Sequence, residues 1–264
     1  MTSPAVPLAV VIAGKEGLRL DAVSRAVAGF RGVPVQDATM AVRKARGILA
    51  EDLDAARAAD LVRRLAAEGI AARSLPAALL VPPPAPLLLS RAEPAPAGLR
   101  AEMAGETLLV PWGRIRLVAV APFTETVYSK VMVKEGRTGK QMAMGAGVFA
   151  LTGIPVSFGS KKKVEKMVPK SEFRLLLDLL LEGPAERLRV DAGDFDFSGL
   201  GDRMVYAPHQ NLRALLESIV AAAPSAATSP GADLLLAGGR LASLGYASVD
   251  DFEREVRWLA AVVA

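Results

Sequence analysis

The sequence predicts an α+β fold. A small β-α-α-β-α-β segment comes first, then a proline-rich connector, then a mostly β second half with a helix near its C-terminal end. Glycines and prolines cut residues 8–75 into short runs whose apolar spacing alternates between strand and helix periods. Seven prolines follow between Pro76 and Pro96. Beyond them, apolar runs rich in Val, Ile and Leu are separated by brief turn signals.

Each element has its own reason. Leu8 to Ala13 (LAVVIA) is short, β-branched and ended by Gly14, which predicts a buried strand. Leu20, Val23, Val27 and Phe30 recur at helical spacing, and Gly32 can close that helix. Pro34 restarts the chain. Val35 to Arg46 then places Ala38, Ala41, Val42 and Ala45 on one helical face, and Gly47 interrupts. Ile48 to Ala50 is a short strand. Asp54 to Glu68 is a third helix, with Ala58, Leu61, Val62 and Leu65 inward and Arg63 and Arg64 outward. Gly69 ends it, and Ile70 to Leu75 is the last strand of the segment. This segment, residues 1–78, is expected to fold alone. Residues 79–98 form a semi-rigid, extended linker in which Leu87 to Leu89 can dock on a neighbour.

The second half, residues 99–224, reads as strands at Glu106–Pro111, Arg114–Ala121, Val127–Val133 and Arg187–Val190. Phe173 to Leu181 (FRLLLDLLL) fits either a helix or a buried strand. Pro208 can open a helix whose stripe is Leu212, Leu215, Leu216, Ile219 and Val220. Residues 225–264 are expected to hold a linker and a short helix, Asp250 to Val263. Its stripe of Phe252, Val256, Leu259 and Val263 must dock, since so short a helix is marginal in water.

Two family resemblances accompany this pattern. Residues 38–76, in the run ATMAVRKARGILAEDLDAARAADLVRRLAAEGIAARSL, resemble the C-terminal domain of the bacterial ribosomal stalk protein, and the Clp-protease adaptor has a similar fold. Residues 6–37 follow it by element order. That resemblance implies binding of a protein partner through the second helix, where Lys44 is the one lysine, beside Arg43 and Arg46. The glycine-rich lead into that helix is replaced here by Val33-Pro34-Val35-Gln36. The strands closed by one helix, with the turn Val110-Pro-Trp-Gly-Arg-Ile115, resemble a bacterial pleckstrin-homology-like domain.

Composition restricts chemistry. The chain has 264 residues, one histidine and no cysteine, so thiolate metal sites and disulfides are excluded and the usual catalytic material is scarce. No catalytic residue, metal or cofactor is expected, and the chain is not expected to be an enzyme. The first residues lack the basic start of a secretory signal, which predicts a cytoplasmic protein, with membrane association as an alternative. Net charge is +4, but Lys130 to Lys170 carries nine cations against two acids.

The candidate partner or membrane contacts are Lys130, Lys134, Lys140, Phe149, Phe158, Lys161, Lys162, Lys163, Lys166 and Lys170. Between Lys140 and Lys161, residues Gln141 to Ser160 carry no charge. That length could just cross a bilayer, but Gly145, Gly147, Gly153, Pro155 and Gly159 weaken a helix and argue against a span. The run therefore reads as a packed loop or hairpin, with a contact loop using Met142, Met144, Phe149 and Phe158 as the alternative. Gly136-Arg-Thr-Gly-Lys-Gln141 departs from a phosphate-binding loop at Lys134 and Gln141, so no nucleotide is expected. Nucleic acid is not expected either, because no aromatic interleaving accompanies the lysines. Asp191, Asp194, Asp196 and Asp202 lack calcium-loop spacing and read as a turn before a strand, and His209 reads as a surface or capping residue. The expected role is therefore a non-catalytic adaptor, scaffold or assembly subunit. The alternative is a peripheral membrane protein using residues 130–170.

Overall fold

The computed structural model describes residues 6–15, 19–134, 163–182 and 186–263. Its contacts divide the chain into two compact units, Met1–Phe123 with Phe173–Ala264, and Thr124–Glu172. The fold is α+β, with helices and several sheets.

The first segment runs β1 (Leu8–Ile12), α1 (Leu20–Arg31), α2 (Val35–Ala45), β2 (Ile48–Leu53), α3 (Ala55–Ala67) and β3 (Ala72–Pro76). Its sheet has the order β2-β1-β3 with antiparallel pairing. Gly32 closes α1 in the left-handed conformation, its N–H donating to the Ala28 carbonyl at 2.8 Å. Asp54 caps α3 by accepting from the Arg57 N–H at 2.8 Å. Leu61 and Leu65 are fully buried and Arg63 and Arg64 face water, as the helical period requires.

The second half adds β4 (Leu87–Leu88), β5 (Arg91–Ala95), β6 (Gly98–Met103), β7 (Glu106–Val110), β8 (Ile115–Lys134), β9 (Lys163–Leu181) and β10 (Arg187–Asp191). A 3-10 helix spans Phe197–Arg203 where a strand was expected. Then come α4 (Pro208–Ala222), β11 (Ala227–Thr228), α5 (Pro230–Leu236) and α6 (Val249–Val262). One sheet has the order β5-β6-β7, and a larger one the order β11-β8-β9-β10-β4. Ile115–Phe123 and Phe173–Leu181 belong to the first unit, and the remaining parts of β8 and β9 to the second. Pro122 is tolerated inside β8 because β11 pairs only with Leu117 and Val118.

Phe173 to Leu181 is a strand for a reason visible in the cores. Leu176 and Leu180 join one hydrophobic cluster, and Leu175, Leu177, Leu179 and Leu181 join another. Likewise Leu117, Ala119 and Ala121 face the first cluster and Val118 and Val120 the second. A strand covered on both faces reads as a continuous apolar run, not as an alternating one.

The first cluster contains the whole β-α-α-β-α-β segment together with Phe252, Val256, Trp258 and Leu259 of α6. The second contains the β5–β7 sheet, β10, α4 and α5. Three features go beyond the expected organisation. Residues 1–78 share their hydrophobic cluster with β8, β9 and α6. Residues 79–98 include strands β4 and β5 as well as a connector. Residues 225–264 add β11 beside β8 and helix α5 before α6. The buried Ser229 fixes that junction. Its Oγ accepts from the Val120 N–H at 3.0 Å and the Ala232 N–H at 3.1 Å. The physical cause is the two-faced apolar character of β8 and β9, which demands a cover on each side.

Candidate functional site

The sequence-predicted contact residues fall into two groups. Lys130 and Lys134 lie on β8, and Lys163, Lys166 and Lys170 on β9, all within Thr124–Glu172. β8 and β9 are hydrogen-bonded neighbours, so the fold brings those five positions onto adjacent strands. Lys140, Phe149, Phe158, Lys161 and Lys162 lie outside the described residues, as do Gly136–Gln141 and the uncharged run 141–160. Among the described residues, no helix is long and apolar enough to cross a membrane.

A second surface was not singled out from sequence. Met204 and Val205 are exposed and Tyr206 is fully exposed, directly before α4. The backbone beneath them is held from both sides. Asn211, buried in the first turns of α4, accepts the Val205 N–H at 2.8 Å through its Oδ1. Its Nδ2 donates to the Val205 carbonyl at 2.7 Å. Arg203 donates to Ser218 Oγ at 2.7 Å and to the Ala214 carbonyl at 3.0 Å, and pairs with Glu217. A buried amide is thus committed to fixing a loop whose side chains face water. The signal for it in the sequence is an apolar triplet placed between a glycine-rich turn and the proline that starts a helix.

The buried charges form structural lattices. Asp178 interrupts the leucines of β9 and is wholly buried. Its Oδ1 accepts Arg189 Nε at 2.7 Å, and its Oδ2 accepts Arg187 Nε at 2.8 Å. Both guanidiniums also pair with Glu253 of α6, at 2.9 Å from Arg189 Nη2, and both lie within 6.0 Å of the Phe252 ring centre. Burial raises the Glu253 carboxyl, but the hydrogen bonds and charges of Arg187 and Arg189 outweigh it and the net shift is downward. For Arg189, burial lowers the pKa, while Asp178 and Glu253 together drive it upward. Two acids and two bases therefore bind β9, β10 and α6 to one another.

A second buried pair sits nearby in sequence. Tyr246 donates to Glu255 Oε1 at 2.6 Å, and the Arg46 guanidinium stacks 4.2 Å from the Tyr246 ring centre. Burial, then the Glu255 charge, raises the Tyr246 pKa. Burial also raises Glu255, partly offset by the Tyr246 hydrogen bond and Arg46.

The remaining candidates are placed simply. His209 is exposed at the start of α4. Asp191 ends β10, and its Oδ1 accepts the Gly193 N–H at 3.1 Å. Asp196 caps the 3-10 helix through the Ser198 N–H, which holds its carboxyl below the usual range. Among the described residues, no three His, Asp or Glu side chains gather as a metal cage. Comparison with protein-family models, with curated proteins and with solved structures finds no match.

Proposed function

We propose that this chain is a non-catalytic interaction or assembly protein, an adaptor or scaffold whose first unit presents a fixed contact loop. The observation that carries the reading is the exposed triplet Met204-Val205-Tyr206 held by the buried Asn211. Preorganising an aromatic anchor removes much of the ordering cost of association, and tyrosine is enriched among residues that dominate interfaces. The buried charges support the same reading, because Asp178, Arg187, Arg189 and Glu253 are engaged with one another.

A photo-crosslinking residue in place of Tyr206 tests this in extract of the source cells. A discrete adduct is expected, and it should vanish when Met204 and Val205 are both replaced by Ser. Adducts that are diffuse, or unchanged by that substitution, would overturn the reading. The lysines on β8 and β9 favour one alternative, a peripheral membrane protein. Sedimentation with anionic vesicles that is lost in high salt and on replacing Lys163, Lys166 and Lys170 by Gln would favour that alternative.

A further inference from the structure

The crossing between β3 and β10 has a burial pattern that a simple connector does not need. Each of the six residues Val81–Pro86 is a proline or stands directly before one, which forces extended backbone throughout. Burial then repeats every third residue. Leu80 and Leu89 are buried, at 2% and 5% exposure, and Pro83 and Pro86 between them are half-buried. Leu79, Pro82, Ala85 and Leu88 are all exposed, with Leu79 at 60% and Leu88 at 65%. On the third edge, Val81 is 64% and Leu87 45% exposed, with Pro84 half-buried between them. Between the 3-10 turn that ends at Leu79 and strand β4, the run Val81–Pro86 has the extended backbone and three-residue period of the polyproline II helix.

Both ends of this ridge are tied down. The Leu80 carbonyl accepts Arg257 Nε at 2.7 Å, and the Leu89 N–H donates to the Arg189 carbonyl at 2.8 Å. Leu80 enters the first hydrophobic cluster and Leu89 the second. The ridge is therefore mounted by one edge and offers the other two to solvent. No charged residue occurs between Arg73 and Arg91, although the stretch crosses the surface.

We propose that the proline-locked run Val81–Pro86, flanked by the exposed Leu79, Leu87 and Leu88, is a docking ridge for a protein partner with an uncharged, aromatic-lined groove of the proline-recognition type. Such grooves grip a preformed polyproline II helix, whose rigidity leaves little chain entropy to lose on binding. Proline supplies no N–H, so recognition rests on apolar packing of the exposed Pro82 and the half-buried Pro84, with the exposed Val81 and Leu88, against aromatic faces. The absence of charge on the ridge selects a groove without a salt-bridging acid. The surface is separate from the Met204–Tyr206 loop in sequence and does not depend on it.

The test titrates the full chain into a set of isotope-labelled domains of the WW class and follows the indole N–H signal of the groove tryptophan. A saturable shift is expected in at least one domain. Replacing Pro82, Pro83 and Pro84 together by Ala should weaken it by about tenfold or more. Leu88→Asp, at an exposed position that leaves both anchors in place, should weaken it comparably and guards against a triple variant that fails to fold. No shift in any domain, or a shift that Leu88→Asp leaves unchanged, would overturn the proposal.

Discussion

The Trp258 indole lies directly over Gly47, so closely that a Cβ on Gly47 would sit 2.1 Å from the ring. The same indole donates its N–H to the Ile12 carbonyl at 2.8 Å. Gly47 also has φ +94°, a region that side chains avoid. Gly47→Ala should therefore cost at least about 1–3 kcal/mol from overpacking alone. Trp258→Ala should cost about 3–5 kcal/mol. Urea melts check both. A Gly47→Ala protein as stable as the parent would mean that α6 does not seat here.

Asp178 is the shared acceptor of two buried guanidiniums. Asp178→Ala leaves those charges with only the partly exposed Glu253 and should cost about 3–5 kcal/mol. Replacing Asp178, Arg187 and Arg189 together by Leu, Met and Leu should recover much of that loss. If the single variant melts like the parent, the lattice contributes nothing to docking α6.

Glu255 gives the pH prediction. Its folded pKa is raised by burial, so the folded state favours its protonated form. Its stabilising contribution is complete below the ordinary carboxylate range and is lost as pH rises through the raised folded value. Glu253, with a lowered pKa, contributes in the opposite sense and loses its contribution as pH falls. Comparing Glu255→Gln with the parent isolates the first effect. The two proteins should melt alike at acidic pH, and the variant should melt higher at neutral pH. A constant difference across pH would remove Glu255 as the titrating group.

Residues 1–78 should not fold well alone, because Phe252, Val256, Trp258 and Leu259 complete their core. The isolated fragment should give a poorly dispersed amide NMR spectrum. The chain truncated after residue 247 should lose cooperative unfolding. A well-dispersed fragment spectrum would show that the segment is self-sufficient after all.

Local periodicity was enough to place α1, α2, α3 and the inward face of Leu61 and Leu65, since these depend on neighbours three and four residues apart. The stripe of α4 was legible for the same reason. What the sequence could not show was partnership across long separations. The run LLLDLLL marks a doubly covered strand, but only β10 and α6 explain its aspartate through Arg187, Arg189 and Glu253. Trp258 lies beside the stripe predicted for α6, and its role appears only when Ile12 is beneath it. The Met204–Tyr206 loop was missed because exposure of an apolar triplet is a tertiary fact. Its clamp, Asn211, looks like an ordinary polar residue of a helix.

The hydrogen bond between Trp258 and Ile12 spans 246 positions of the chain. On a ribosome adding roughly 5–20 residues per second, roughly 12–50 seconds separate the making of its two ends. Through that interval the first strand and its helices have been made but lack their closing wedge. Their unsealed apolar faces are then exposed to chaperones or to neighbouring nascent chains. The segment that holds β1 is thus made well before the helix that covers it.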